Sequence, residues 1–508
     1  MCNKYSIFSA LDENANRDKG EIKDWARNKF DRDRDRILYS KAFRRLSGKT
    51  QVFFARSDDH IRTRLTHTLE VAQISRITAK NLKLNEILTE AIALGHDIGH
   101  TPFGHVGERT LNYIMNGCYR IKNFNSDLED KDKGFKHNWQ GVRIVNDSEK
   151  ISKDYNGLNL TKYTVWGILN HSNKEYTKGC GRNYKEVENG NKCNLSLCKE
   201  KCKNDQGISV NFYKQYEDKI DEKNAWTVEA LIVEKADEIA QRHHDIEDGI
   251  EARIINKDEL IKKFEEFFEE FLNEKYKTII NNIKKENKKI YYMPMLSKLI
   301  VGFLNEKLIE DIKENLKELQ DEYDIKTSEN FDKFKSQIYD NGCYKKIVCY
   351  SKKFKQADKY FKDYLKNRIL NSYKAQSMDG KGDYIIRQTF KAYITNPQQL
   401  PDKTILALYE TMLKEGIVEK SLLQEDEHET LIGNLRNELN KNHFNQKFKI
   451  EKDEMTNEEK KRYNKENSEK YKKYKKCLLR VICDYISGMT DNYAMDQYRI
   501  LYGSGDFR

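Results

Sequence analysis

Proline is scarce in this sequence, 4 of 508 residues, and glycine is modest at 25. The two residues that most often interrupt helices are therefore rare, which points to a chain that is mostly α-helix. Long apolar runs are missing as well: none approaches the ~18–20 residues that cross a bilayer. With 38% hydrophobic and 34% charged residues and a mean hydropathy of −0.89, a membrane-spanning protein is excluded. Met1 to Gly20 lacks a basic segment followed by an apolar stretch, so a cytoplasmic protein is expected. In that reducing compartment ten cysteines do not read as a disulfide framework. Neither sign of charge dominates; 92 Lys and Arg against 82 Asp and Glu leave +10, a hint of anionic ligands that names none of them.

The length allows about three domains or one large helical domain with insertions. Residues 23–110 read as successive amphipathic helices, with Leu65, Leu69, Ala72, Ile74 and Ile77 recurring near helical period around Thr66 to Lys80. Loop-like segments cover about 116–136 and 172–208, and Ala225 to Gly249 has the pattern of one long helix. Residues 251–375 suit amphipathic helices with solvated charged faces. A turn, Asn396-Pro397-Gln398-Gln399-Leu400-Pro401, precedes further helices, and the lysine-rich 452–476 reads as a projecting helix or a mobile segment. The expected organisation is a catalytic core over 1–250 with a Cys-rich insertion at about 172–208, a charged helical region over 251–395, and a C-terminal helical region over 396–508. No internal repeat is present.

Six of eleven histidines (His60, His67, His96, His100, His105 and His137) fall within residues 60–137. At their centre stands Gly95-His96-Asp97-Ile98-Gly99-His100-Thr101-Pro102-Phe103-Gly104-His105, after the apolar helix Ile87 to Leu94. An adjacent His-Asp pair at a helix end can offer an imidazole and a carboxylate to one divalent cation. Two ligands are too few, because such sites use three or four protein groups and leave positions open. His67, one helix upstream, taken alone reads as a packed or capping histidine, and Asp237, on an otherwise apolar helix face where a lone carboxylate is costly to bury, as an ion-pair partner or a cation ligand.

The ordered series His67, His96-Asp97, Asp237 resembles the signature of the HD phosphohydrolase superfamily. Longer blocks resemble the deoxyguanosine triphosphate triphosphohydrolases (dGTPases): Phe43-Arg44-Arg45-Leu46-Ser47-Gly48-Lys49-Thr50-Gln51-Val52-Phe53, Arg62 to Gln73, His96 to Glu108, Phe135-Lys136-His137-Asn138-Trp139-Gln140, Ala236 to Gly249, and Asp484 to Asp491. The resemblance weakens over 172–224, 251–380 and the lysine-rich run. It implies an all-α fold with an HD-domain helical core, and hydrolysis of a dNTP, dGTP first, to deoxynucleoside and triphosphate. His67, His96, Asp97 and Asp237 would hold Mn²⁺ or Mg²⁺, with Fe²⁺ and Co²⁺ as other candidates. A poor alkoxide leaving group needs a positioned acid, and His105 is the candidate, with Glu108 three residues on able to orient it. By similarity these two form a catalytic dyad, His100 contacts phosphate, Arg64 meets the α-phosphate, Gln51 and Asp245 hold the deoxyribose 3′-hydroxyl, and His137 is a further substrate-binding group. One position departs: relatives commonly carry tyrosine four residues after the metal aspartate, where this chain has Gln241, followed by Arg242-His243-His244. That leaves substrate identity open.

Cys180, Cys193, Cys198 and Cys202 have a spacing that suits a structural Zn²⁺ without matching a standard pair, so free thiols and an iron–sulfur cluster stay open. The family resemblance implies a homo-oligomer, hexamer first, and an allosteric dNTP. Two other functional readings remain: an HD phosphohydrolase acting on another nucleotide, a monophosphate or signalling nucleotide included, and a regulatory protein that binds nucleotide or single-stranded DNA, which 30 tyrosines and the positive charge would serve. The residues do not separate housekeeping control of nucleotide pools from their depletion during phage infection.

Overall fold

The computed structural model describes residues 6–21, 25–51, 62–119, 121, 124, 128–174, 176, 208–418, 428–442 and 457–503. Among them there is no β-strand, only two isolated bridges, Thr50 with Thr63 and Lys150 with Gly157. The fold is all-α. In chain order the helices are α1 (Lys29–Tyr39), α2 (Lys41–Arg45), α3 (Arg64–Asn81), α4 (Glu86–Gly95), α5 (Gly104–Met115), α6 (His137–Arg143), α7 (Lys162–Asn170), α8 (Val228–Glu251), α9 (Lys257–Phe268), α10 (Glu274–Lys285), α11 (Lys289–Tyr323), α12 (Ser328–Asp340), α13 (Lys352–Leu370), α14 (Tyr373–Thr395), α15 (Asp402–Lys414), α16 (His428–Asn442), α17 (Asn457–Ser487) and α18 (Asp491–Tyr502).

The chain divides into two compact units. The first comprises residues 1–100, 137–174 and 215–380; the second comprises 101–136, 175–214 and 381–508. In the first unit α3, α4, α7 and α8 pack together around Leu88, Ile92, Ile168, Trp166, Ile232 and Val233, all buried. Local sequence sets where these helices start. Thr63 and Thr66 form a capping box before α3, Asn85 caps α4 through the Leu88 amide, and Thr227 caps α8 through the Ala230 amide. The charged stretch after α8 folds as α9 to α13, held by edge-to-face and tilted aromatic contacts among Phe264, Phe268, Phe303, Phe354 and Phe361. In the second unit α5, α14, α15, α16 and α17 share a core that includes Leu111, Ile114, Phe390, Leu408, Leu435, Leu478 and Ile482.

One expectation changes, and one open alternative is decided. On α3 the stripe does not run through Leu69 and Ile77, which are 51% and 43% exposed. The inward face is instead Arg64, His67, Thr68, Val71, Ala72, Ile74, Ser75, Thr78 and Ala79, because α3 turns a polar face toward the functional site. The lysine-rich run is helical from Asn457, and its end is anchored by the buried Tyr474, Cys477 and Leu478 of α17.

Candidate metal centre and substrate site

Three elements of the first unit converge: the start of α3, the turn after α4 and the middle of α8. α3 contributes Arg64 and His67, the turn after α4 contributes His96, Asp97 and His100, and α8 contributes Asp237. That turn needs glycine. A Cβ on Gly99 would lie 2.0 Å from the His137 carbonyl oxygen and 2.3 Å from the Gly141 nitrogen, so α6 approaches the turn too closely for any side chain.

His67 Nε2 lies 2.9 Å from Asp237 Oδ1. His96 Nε2 lies 3.5 Å from Asp97 Oδ1 and 4.0 Å from Asp237 Oδ1. The ligating atoms of His67, His96 and Asp237 all lie within 4.8 Å of one another. His96 donates Nδ1–H to the Ala93 carbonyl at 2.6 Å, so its Nε2 is a bare lone pair, and that atom is buried without a hydrogen-bond partner. A buried acceptor turned toward two carboxylates calls for a cation, and two imidazoles with two carboxylates suit a divalent transition-series ion or Mg²⁺. The residues fit a metal.

The electrostatics agree. Burial would raise both carboxyl groups, yet the Arg64 guanidinium and a hydrogen bond from His100 hold Asp97 well below the usual carboxylate range, and Asp237, among the imidazoles, is held low as well. Arg64, buried, gives Nη1–H to Asp97 Oδ2 at 2.7 Å, while its Nε has no partner. The expected phosphate ligand is thus tied to a metal ligand. His100 Nε2 sits 3.2 Å from Asp97 Oδ1, and its ring stacks on His137 at 3.8 Å between centroids. Burial, with the charges of Arg64 and His137, pushes His100 well below its ordinary value, so its imidazole is neutral.

Gln51 and Asp245 are joined through the departing residue. Gln51 Nε2 donates to Gln241 Oε1 at 3.1 Å, and Gln241 Nε2 donates to Asp245 Oδ1 at 2.9 Å. Gln51 Oε1 is buried with no donor, and burial pushes Asp245 up to about 6. This line of groups has an unmet acceptor and a carboxyl that can hold a hydrogen, which is what a sugar hydroxyl requires.

Sequence reasoning missed His171. Its Nδ1 donates to the Ile168 carbonyl at 2.8 Å, and its ring lies 5.1 Å from that of His96. The signal was a parallel: His171 follows apolar α7 as His96 follows apolar α4, and each caps its helix end through the carbonyl three residues back. Glu70, His243 and His244 were also passed over; His244 Nε2 is 2.7 Å from Glu70 Oε2, and His244 Nδ1 is 3.3 Å from His67 Nδ1. Burial drives His244 down to about 3, so it is neutral.

His105 and Glu108 belong to α5 of the second unit. Phe103, with φ of 60°, takes a left-handed turn before the helix, which leaves His105 exposed in its first turn. Glu108 is buried and accepts from Lys136 Nζ at 2.9 Å and from Tyr176 Oη at 2.8 Å. His60 and Cys180, Cys193, Cys198 and Cys202 lie outside the described residues.

Comparison with known proteins gives the same answer. Residues 64–288 match the HD domain, and residues 348–414 and 443–500 match the phosphohydrolase-associated domain. The all-α fold, the His-Asp centre and these matches together define a metal-dependent phosphohydrolase of the HD class. The chain is 35% identical to a deoxyguanosinetriphosphate triphosphohydrolase-like protein of Pelagibacter ubique over 401 residues, 78% of this chain and 91% of that one. It is 29% identical to one of the same description from Geobacter sulfurreducens over 475 residues, 93% and 88% of the two chains. A third, from Caldanaerobacter subterraneus, is 41% identical over 250 residues, 49% and 54% of the two. The chain belongs to the dGTPase family of the HD superfamily.

Proposed function

We propose that the protein hydrolyses a deoxynucleoside triphosphate at the α-phosphorus, releasing deoxynucleoside and inorganic triphosphate, with dGTP as the first expected substrate. The observation that carries this reading is the bare, buried His96 Nε2 beside the carboxylates of Asp97 and Asp237. The names of the relatives and the unmet acceptor on Gln51 support a nucleotide with a sugar hydroxyl.

His67, His96, Asp97 and Asp237 would hold a divalent ion, Mn²⁺ or Mg²⁺, whose chemistry would be to neutralise phosphate oxygen charge and to make an attacking water more acidic. The chain's own groups do the rest. The water oxygen joins the α-phosphorus as the bond to the nucleoside 5′-oxygen breaks, and the departing oxygen takes a proton from His105. Glu108, fixed by Lys136 and Tyr176 one helical turn further on, orients that imidazole. His100 contacts phosphate, with His137 stacked against it, and Arg64 places a fixed positive charge nearby. Gln51 and Asp245 take the 3′-hydroxyl. The family reading also carries a homo-oligomer, hexamer first, and regulation by a second dNTP; separately, the four clustered cysteines would suit a structural Zn²⁺.

A second reading, another nucleotide as substrate, draws on Gln241, whose amide links Gln51 to Asp245. One experiment separates the two: the four dNTPs, singly and in pairs, are incubated with the protein and Mn²⁺ or Mg²⁺, and the products are identified. Triphosphate release from dGTP, abolished in Asp97→Ala, supports the first reading. Pyrophosphate with a monophosphate, or turnover confined to other nucleotides, rejects it.

A further inference from the structure

Behind His67, on the side away from Asp237, lies a set of charged groups that the proposed chemistry does not use. Glu70, one turn further along α3, receives three donors: His244 Nε2 at 2.7 Å, His243 Nδ1 at 3.1 Å and Arg62 Nε at 3.1 Å. The second nitrogen of His244, Nδ1, is 3.3 Å from His67 Nδ1. His243 Nε2 in turn reaches Glu247 Oε1 at 3.0 Å and Ser297 Oγ at 2.8 Å.

With His244 and His67 each carrying one hydrogen, the line has a single arrangement. Arg62 and two imidazoles surround Glu70, so it is a carboxylate and has no hydrogen to give. His244 must therefore donate from Nε2, which leaves its Nδ1 an acceptor. An acceptor at 3.3 Å from His67 Nδ1 requires that His67 carry its hydrogen there. A neutral His67 then has its lone pair on Nε2, the nitrogen that lies 2.9 Å from Asp237 Oδ1 and faces the metal site. Imidazole ligands of metals ordinarily have the far nitrogen fixed by such an outer partner.

Resting on the metal reading above, we infer that Glu70 and His244 form a relay that sets which nitrogen of His67 faces the metal, and so act as positioning residues. The same count excludes the other use of this cluster. Glu70, His243 and His244 are spaced closely enough to hold an ion themselves. A cation there would need the Nε2 lone pair of His244, which would move its hydrogen to Nδ1 and force a hydrogen onto His67 Nε2, blocking the first site.

The test uses the full-length, metal-free protein titrated with Mn²⁺ alone, with free Mn²⁺ read by electron paramagnetic resonance and folding by circular dichroism. Loss of an outer-shell partner typically costs about 10–100-fold in metal affinity, and that is the loss expected for Glu70→Leu. His244→Asn and His244→Gln are both polar, but only Asn keeps an oxygen where Nδ1 stood to accept from His67. The Asn variant should bind Mn²⁺ within about threefold of the unmodified protein, and the Gln variant should lose about 10–100-fold. Since Glu70 acts only through His244, Glu70→Leu should cost nothing further in the His244→Asn background. Equal losses for Asn and Gln, or a Glu70→Leu loss that is the same in both backgrounds or absent from both, would overturn the relay. Failure of the unmodified protein to bind Mn²⁺ would instead reject the metal reading.

Discussion

The tightest constraint on the site is a glycine, and it yields a prediction of definite sign. In Gly99→Ala the new methyl carbon would sit 2.0 Å from the His137 carbonyl oxygen, 2.3 Å from the Gly141 nitrogen and 2.9 Å from the Gly141 Cα. All three are backbone atoms of α6, so no side chain can rotate out of the way; either the turn from His96 to His100 or α6 itself must move. Overpacking of a buried site costs about 1–3 kcal/mol and occasionally more, and a clash with backbone alone puts this case at about 3 kcal/mol or above. That is roughly a 150-fold loss in the folding equilibrium at about 1.4 kcal/mol per decade. Gly302, inside α11, supplies the opposite case, since the nearest atom to its added Cβ is Tyr276 Oη at 3.8 Å. Gly302→Ala should stabilise by about 0.4–1 kcal/mol through helix propensity and a less flexible unfolded chain. Urea unfolding followed by far-ultraviolet circular dichroism compares the midpoints. The reasoning fails if Gly99→Ala unfolds at or above the wild-type midpoint, or if the two substitutions move it in the same direction.

Three other expectations concern charge and chemistry. Burial opposes the charge on His243, but hydrogen bonds and charge from Glu247 and Glu70 push it up to about 9. A raised histidine stabilises fully below its unfolded value of about 6.5 and loses that contribution as pH rises through about 9, so stability should decline over pH 7–9, by about 3 kcal/mol at most. His243→Gln should flatten that decline in unfolding experiments run across the range; an unchanged slope refutes the assignment. Glu108→Gln should cut turnover about 100-fold or more while metal content stays at the wild-type level; metal loss would show that Glu108 serves the metal instead. Gln241→Tyr removes the amide linking Gln51 to Asp245, so the ranking of the four dNTPs by kcat/KM should change with Mn²⁺ affinity unaltered. An identical ranking would mean that Gln241 takes no part in choosing the substrate.

Much was legible before any coordinates. Scarce proline and glycine and helical periodicity pointed to an all-α chain, and the ordered series His67, His96-Asp97, Asp237 pointed to a metal centre through its resemblance to the HD signature. Periodicity misled on α3, where Leu69 and Ile77 look outward. A helix facing a polar site buries arginine, histidine, serine and threonine, which hydropathy counts as surface. The lysine-rich stretch 452–476 left a projecting helix and a mobile segment both open because it is almost purely polar; the buried Cys477 and Leu478 follow just beyond it.

The chain's linear order settled the chemistry on offer, since ligand type and helix-end spacing are local properties carried by consecutive residues. Tertiary structure alone decided how those groups are wired: Arg64 to Asp97, Gln51 through Gln241 to Asp245, His67 through His244 to Glu70. Glu70 and His244 are 174 residues apart. A hydrogen bond acts over about 3 Å, and only the packing of α3 against α8 brings those two side chains that close.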